Sequence, residues 1–165
     1  MKWALRAILA AALAGALFLA WTIFFPSPEK IIRQRLTELA RVVSFSPNEG
    51  PIAKLDNPTR AAAFCTSDVE VAVEVPGYSH HELSGKDNLL QALMAARASL
   101  PGLQVEFFDP VIELAPNKQA AVVGLTARGK VPGDRDFQVI ELKFSMKKVE
   151  REWLIRRIET VKTIR

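Results

Sequence analysis

The sequence predicts an α+β domain behind a transmembrane helix. Three helices come first, with short hairpin strands inserted. A curved antiparallel four-strand meander follows, packed on one face by the helices to form a cone. Three observations carry this. Apolar residues recur at helical spacing before Pro101-Gly102 and at a period of two after it. The later β-rich runs are separated only by turn signals. Ahead of everything, Ala7–Phe25 forms 19 positions without a charge. The chain has 165 residues, 49% hydrophobic and 24% charged, which is enough for one globular domain once an anchor is set aside.

As a helix, residues 7–25 span ~28 Å at about 1.5 Å per residue, close to a bilayer's hydrocarbon thickness. Trp3 and Trp21 sit near the two ends, where amphipathic rings favour the interface. A cleaved signal would have a small-x-small site after its apolar run. Here Ala14-Gly15-Ala16 lies inside the run and the exit is bulky, so an uncleaved single-pass anchor is expected. The expected division is residues 1–28 as anchor and 29–165 as domain, with the lipid bilayer as partner of residues 7–25. A short basic N-terminus (Lys2, Arg6) leading into an apolar helix has the form of a signal anchor, which places the domain outside the cytoplasm. Lys30, Arg33, Arg35 and Arg41 on the far side pull the charge count the other way.

Ser27 can cap and Pro28 suits the first helical position. Ile31, Ile32, Leu36, Leu39, Ala40 and Val43 then mark a helix ending near Phe45. Ser46–Pro51 has loop composition. Asn57-Pro58 repeats the cap-and-proline signal and predicts a short helix through Ala61 to Phe64. Val69–Val75 is a β-branched strand, Pro76-Gly77 turns it, and Tyr78–Leu83 returns. Ser84-Gly85-Lys86-Asp87 is a capping-box variant. It opens a helix with Leu89, Leu90, Leu93, Met94 and Leu100 along one side. Four strands complete the chain: Leu103–Leu114, Gln119–Val131, Phe137–Val149 and Trp153–Ile164. In the third, Gln138, Ile140, Leu142, Phe144 and Met146 share one face and Val139, Glu141, Lys143, Ser145 and Lys147 the other, as in a half-buried antiparallel strand. Phe107, Phe108, Phe137, Phe144 and Trp153 read as core or sheet-packing residues. Helices beside such a sheet bury their apolar stripes against one of its faces.

Composition narrows the chemistry. The net charge of +4 falls to +2 without Lys2 and Arg6, and no basic run carries interleaved aromatics, so nucleic acid is not an expected partner. Cys65 is the only cysteine, which excludes an intramolecular disulfide and a cysteine-based zinc site. No phosphate-binding glycine loop, metal-ligand spacing or Ser-His-Asp pattern is present, and no cofactor or metal is expected.

Element order and local patterns resemble the nuclear-transport-factor-2-like superfamily, in particular its SnoaL-like branch, over about residues 29–165. "AAFCTSDVEVAVEVPG" resembles the step in which an acidic residue, here Asp68, precedes the first strand. "LSGKDNLLQAL" resembles the glycine-started third helix. "AAVVGLTARGK", "DFQVIELKFSMKK" and "EWLIRRIETVKTI" resemble the last three strands. The resemblance implies a cystatin-like α+β cone with a ligand cavity, and a homodimer through the outer sheet face. Catalytic members place a tyrosine, aspartate or histidine on the cavity wall. The tyrosine with paired aspartates of the steroid isomerases has no counterpart, because Tyr78 lies in a turn and Asp109 lacks a partner.

The segment "VPGYSHHEL" holds both histidines and the only tyrosine. Successive strand residues point to opposite faces, so His80 and His81 cannot both enter one cavity, and a two-histidine metal site is disfavoured. Leu83 marks the His81 face as the more buried. The chemical reading is an imidazole acting as general base or hydrogen-bond donor; the plainer one is a rim histidine. Asp68 is a candidate cavity carboxylate, or a carboxylate satisfying local backbone donors. Arg128 shares a strand face with Val122, Gly124 and Thr126, and could hold an anionic ligand if that face turned inward. The expected function is a membrane-tethered, non-catalytic binding or assembly module with a cavity for a small apolar ligand. The alternative is an acid/base enzyme, of isomerase or dehydratase type, on a hydrophobic small molecule, with His81, Tyr78 and Asp68 as catalytic candidates and His80, His81 and Arg128 as ligand contacts.

Overall fold

The computed structural model describes Gly15, residues 26–74 and residues 81–161, with only the backbone of His81. The anchor at residues 7–25, Tyr78 and His80 lie outside the described residues, Gly15 apart. Among those described, no helix is long and apolar enough to cross a membrane.

The elements, in order, are α1 (Pro28–Val43), α2 (Pro51–Ala63), β1 (Cys65–Val73), β2 (His81–Ser84), α3 (Lys86–Ser99), β3 (Gln104–Leu114), β4 (Ala120–Lys130), β5 (Gln138–Val149) and β6 (Glu152–Thr160). The strands form one six-stranded sheet in the order β2-β1-β6-β5-β4-β3. The meander β3–β6 is antiparallel throughout, β2 is antiparallel to β1, and β1 joins the sheet parallel to β6.

α1 starts as its sequence dictates. Ser27 accepts a hydrogen bond from the Lys30 backbone N–H, and Pro28 occupies the first turn. Its apolar stripe, Ile32, Leu36, Leu39, Ala40 and Val42, is buried. α2 departs from expectation. It is a 13-residue helix starting at Pro51, not a short one capped at Asn57, and Pro58 lies buried within it. Asn57 does not cap because its Nδ2 donates to Glu49 Oε1 at 2.6 Å. The capping box at Ser84 is also absent. Gly85, at φ 89°, is the cap residue and makes no side-chain cap bond, while Ser84 belongs to β2. Gly85 donates its N–H to the Val69 carbonyl at 2.8 Å, which ties the start of α3 to β1.

The meander alternates as its period required. Ala121, Val123, Leu125 and Ala127 of β4 and Leu142, Phe144 and Met146 of β5 are buried on the face that meets the helices. Phe107 and Phe144 meet edge to face, ring centres 5.8 Å apart, within that core. Three register shifts bend the sheet. In β3 the step from Phe108 to Val111 matches Thr126 to Gly124 in β4, so β3 carries one extra residue, and Asp109 takes φ 49° there. β6 has a shift opposite Ser145/Met146 that puts both Arg156 and Arg157 outside and returns Ile158 to the concave side. β1 has a third between Cys65 and Glu70. Phe45 and Leu103 exchange backbone hydrogen bonds, and a Cβ on Gly102 would crowd Pro132 at 3.0 Å and the Phe45 carbonyl at 3.1 Å, so this close approach favours glycine.

The two faces predict separable stabilities. Phe144→Ala should cost about 3–5 kcal/mol in denaturant unfolding, because it leaves a cavity in the core. Val122→Ala, on the outer face, should stay within about 0.5 kcal/mol. Equal losses would mean the faces are misassigned.

Candidate functional site

The helices do not fill the concavity they cover. A cavity of about 520 Å³ remains, walled by apolar side chains including Leu39, Val43, Leu89, Leu93, Phe107 and Ile140. α3 explains the space. It has no fully buried residue, and Leu89 and Leu93, half-buried at the edge of the core, also line the cavity.

α3 is held instead by a polar clasp at its C-terminal end. Arg97 Nη1 donates to Glu49 Oε2 at 2.6 Å, and Arg97 Nη2 donates to the Val42 carbonyl at 2.9 Å. The guanidinium lies 4.6 Å from the centre of the Phe45 ring. The Arg97 and Glu49 side chains are only 11% and 13% exposed. With Asn57 on the other Glu49 oxygen, the clasp joins α1, the α1–α2 loop, α2 and α3. Sequence reading missed it, since nothing in the spacing of residues 49, 57 and 97 links them.

Titratable groups are sparse on the wall. Cys65 lines the cavity with its thiol buried, and burial pushes its pKa from an ordinary 9.0 to about 11, with Lys86 pulling weakly the other way. A thiol so far from ionisation is a poor nucleophile at neutral pH. Asp134 and Asp136, in the β4–β5 turn, line the mouth and are exposed. They too were missed, because Pro132-Gly133-Asp134 reads as an ordinary turn. Among the described residues, no group of three or more His, Cys, Asp or Glu is placed to hold a metal ion.

The candidates chosen from sequence are not brought together. Asp68 is exposed, 3.8 Å from Lys147 Nζ and 3.7 Å from Arg156 Nε. The neighbouring Thr66 hydroxyl first, with the Lys147 and Arg156 charges after it, holds its carboxyl below the usual range, opposite to the raised pKa of a cavity carboxylate. Arg128 sits on the outer face of β4 with Val122, Gly124 and Thr126, because its alternate neighbours Ala127 and Leu125 point inward, yet near the end of the strand it also lines the edge of the cone. Its guanidinium pairs with Glu106 and stacks 4.7 Å from Phe108 and 5.5 Å from Phe137. Phe108 and Phe137 therefore pack on the outer surface, while Phe107, Phe144 and Trp153 face the core. His81 sits in β2 opposite Val73. Beside it on the sheet, Arg157 bridges Glu70 and Glu159, and Lys143 also pairs with Glu159, whose carboxyl is held low first by that lysine.

A helix-roofed, curled antiparallel sheet around an apolar cone can now be set against known structures. A nuclear-transport-factor-2-like protein of unknown function from Pseudomonas putida superposes with a TM-score of 0.62, covering 81% of this chain and 85% of that one at 11% identity. The chain has the nuclear-transport-factor-2-like fold. A putative scytalone dehydratase from Novosphingobium aromaticivorans gives 0.61, with 82% and 84% covered at 16% identity. The yeast Ubp3-associated protein Bre5 gives 0.61, with 84% and 100% covered at 12% identity. No protein-family profile and no curated protein sequence matches the chain.

Two outcomes follow from this geometry. Glu49→Ala should destabilise the chain by about 3 kcal/mol, as expected when one partner of a nearly buried pair is removed. Hydrogen exchange should show the loss concentrated in α3. For Cys65, the folded pKa lies above the unfolded one. Stability from the buried thiol is therefore full below pH 9 and falls as pH rises toward 11. Iodoacetamide at pH 8 should label Cys65 only after unfolding, and Cys65→Ala should flatten the alkaline loss of stability.

Proposed function

We propose that this chain is a membrane-tethered, non-catalytic binding module whose cone takes a small apolar or amphipathic molecule. The observation that carries the reading is the cone itself: about 520 Å³ with an apolar wall, its only carboxylates among the described residues exposed at the mouth. General acid/base work needs a positioned proton donor or acceptor within hydrogen-bond reach of substrate. The described wall offers a protonated thiol and no pair of converging groups. The shared fold does not choose between readings, since it serves both a putative dehydratase and a Ubp3-associated protein. The lining favours binding.

Three further parts belong to the same proposal. Residues 7–25 anchor the chain, with the domain on the extracytoplasmic side. His80 and His81 supply polar contacts to the ligand. The outer sheet face, where Phe108, Val111, Phe137 and Val139 are 39–63% exposed, pairs with a second copy.

The test is ligand-dependent melting of the full-length chain. Apolar ligands should raise the melting temperature, and Ala127→Phe, which fills the cone from β4, should abolish the rise without unfolding the chain. Retained response in the filled variant would move the ligand elsewhere. Dehydration or isomerisation of a hydrophobic substrate, lost in His81→Ala, would replace this reading with the enzymatic one.

A further inference from the structure

A second cavity of about 540 Å³ lies outside the cone, between the α1–α2 loop, α2 and the C-terminal end of α3. Leu100, the residue that ends α3, lines both this groove and the cone. The groove floor is apolar, with Phe45, Leu55, Met94 and Pro101 along it. Leu55 is 71% exposed and neighbouring Ile52 82%, large apolar surfaces on a helix whose other face is packed.

We propose that cone and groove are one elongated site partitioned by Leu100, and that its ligand is a long-chain anionic amphiphile with the chain in the cone and the head at Lys54. This rests on reading the cone as a ligand site. Continuity through Leu100 gives the chain its path, and the charges set its direction. Lys54 lines the groove, is exposed, and has no carboxylate within 4.0 Å among the described residues. The other groove cation, Arg97, is neutralised by Glu49. On the sheet side of the cone the mouth carries Asp134 and Asp136 with the exposed Arg135 between them, and Arg128 is committed to Glu106, so the mouth offers an anion no uncompensated positive charge. Lys54 offers one, which attracts an anionic head to the groove and disfavours a cationic one there.

Melting titrations of the full-length chain with palmitate, hexadecanol, hexadecylamine and octanol test this. Palmitate should bind at least tenfold more tightly than hexadecylamine. Lys54→Glu should weaken palmitate about tenfold and leave hexadecanol unchanged. Leu100→Trp should weaken palmitate but not octanol, which is short enough for the cone alone. Equal binding of acid and amine, or a Lys54→Glu effect absent or shared by hexadecanol, overturns the head-group assignment while the cone reading stands. Loss of octanol together with palmitate in Leu100→Trp overturns the partition. Lys54→Glu is a surface change, so the head-group test holds even if Leu100→Trp unfolds. No response to any ligand, octanol included, removes the cone reading itself.

Discussion

The structure depends on the bending of one sheet. A sheet with uninterrupted pairing twists but keeps each strand's faces in strict alternation. In β6 that alternation would carry the sequence from Trp153 and Ile155 straight to Arg157 on the concave side. The register shift opposite Ser145/Met146 prevents it: both arginines go outside, and Ile158 returns inward opposite Phe144. The extra residue in β3 does the same service at the other edge, where Asp109 adopts a left-handed conformation that its short polar side chain tolerates. Each shift also adds local bend. The devices that curl the sheet thus keep its hollow side free of charge.

A hollow sheet makes unequal demands on the helices above it. α1 meets the sheet closely and buries five residues. α3 spans the open part and buries none, so hydrophobic contact alone secures it weakly. Polar anchors take over at both ends, the Gly85 to Val69 hydrogen bond at one and the Arg97 clasp at the other. A nearly buried ion pair is a poor source of net stability compared with apolar packing, yet breaking it is costly. It is therefore suited to fixing where a helix lies when there is little beneath it to pack on. The cavity and the clasp are two consequences of the same geometry.

What could be read from the sequence follows from this division. The meander was legible because each strand alternates locally: Leu142, Phe144 and Met146 against Lys143 and Ser145 need no distant information. The start of α1 was legible for the same reason, as Ser27 and Pro28 act within one turn. α2 was misread because Asn57-Pro58 resembles a helix start, and only the remote Glu49 shows why Asn57 turns elsewhere. The parallel pairing of β1 with β6 joins residues about ninety apart, and no local pattern announces it. The cone was expected from the curl, but its polar surroundings were not. Arg128 could be placed on a face from its neighbours, whereas which face was hollow depended on the bulges. One sign of the β6 bulge was present: in Trp153, Ile155 and Ile158 the apolar spacing lengthens from two to three.

Chain direction constrains how such a cone can be loaded. α1 enters beside the β5–β6 hairpin, since Arg35, in its second turn, reaches Glu152 at 3.5 Å. The mouth, with Asp134 and Asp136, lies at the β4–β5 turn, the other end of β5. Twelve strand residues separate the two ends, roughly 40 Å at about 3.3 Å per residue. In the tethered arrangement proposed above, a tether joined at Pro28 would lie toward the β5–β6 hairpin, with the opening at the β4–β5 turn facing away from the bilayer. A ligand could not slide from the lipid into such an opening without crossing water, which for a long apolar chain is unfavourable.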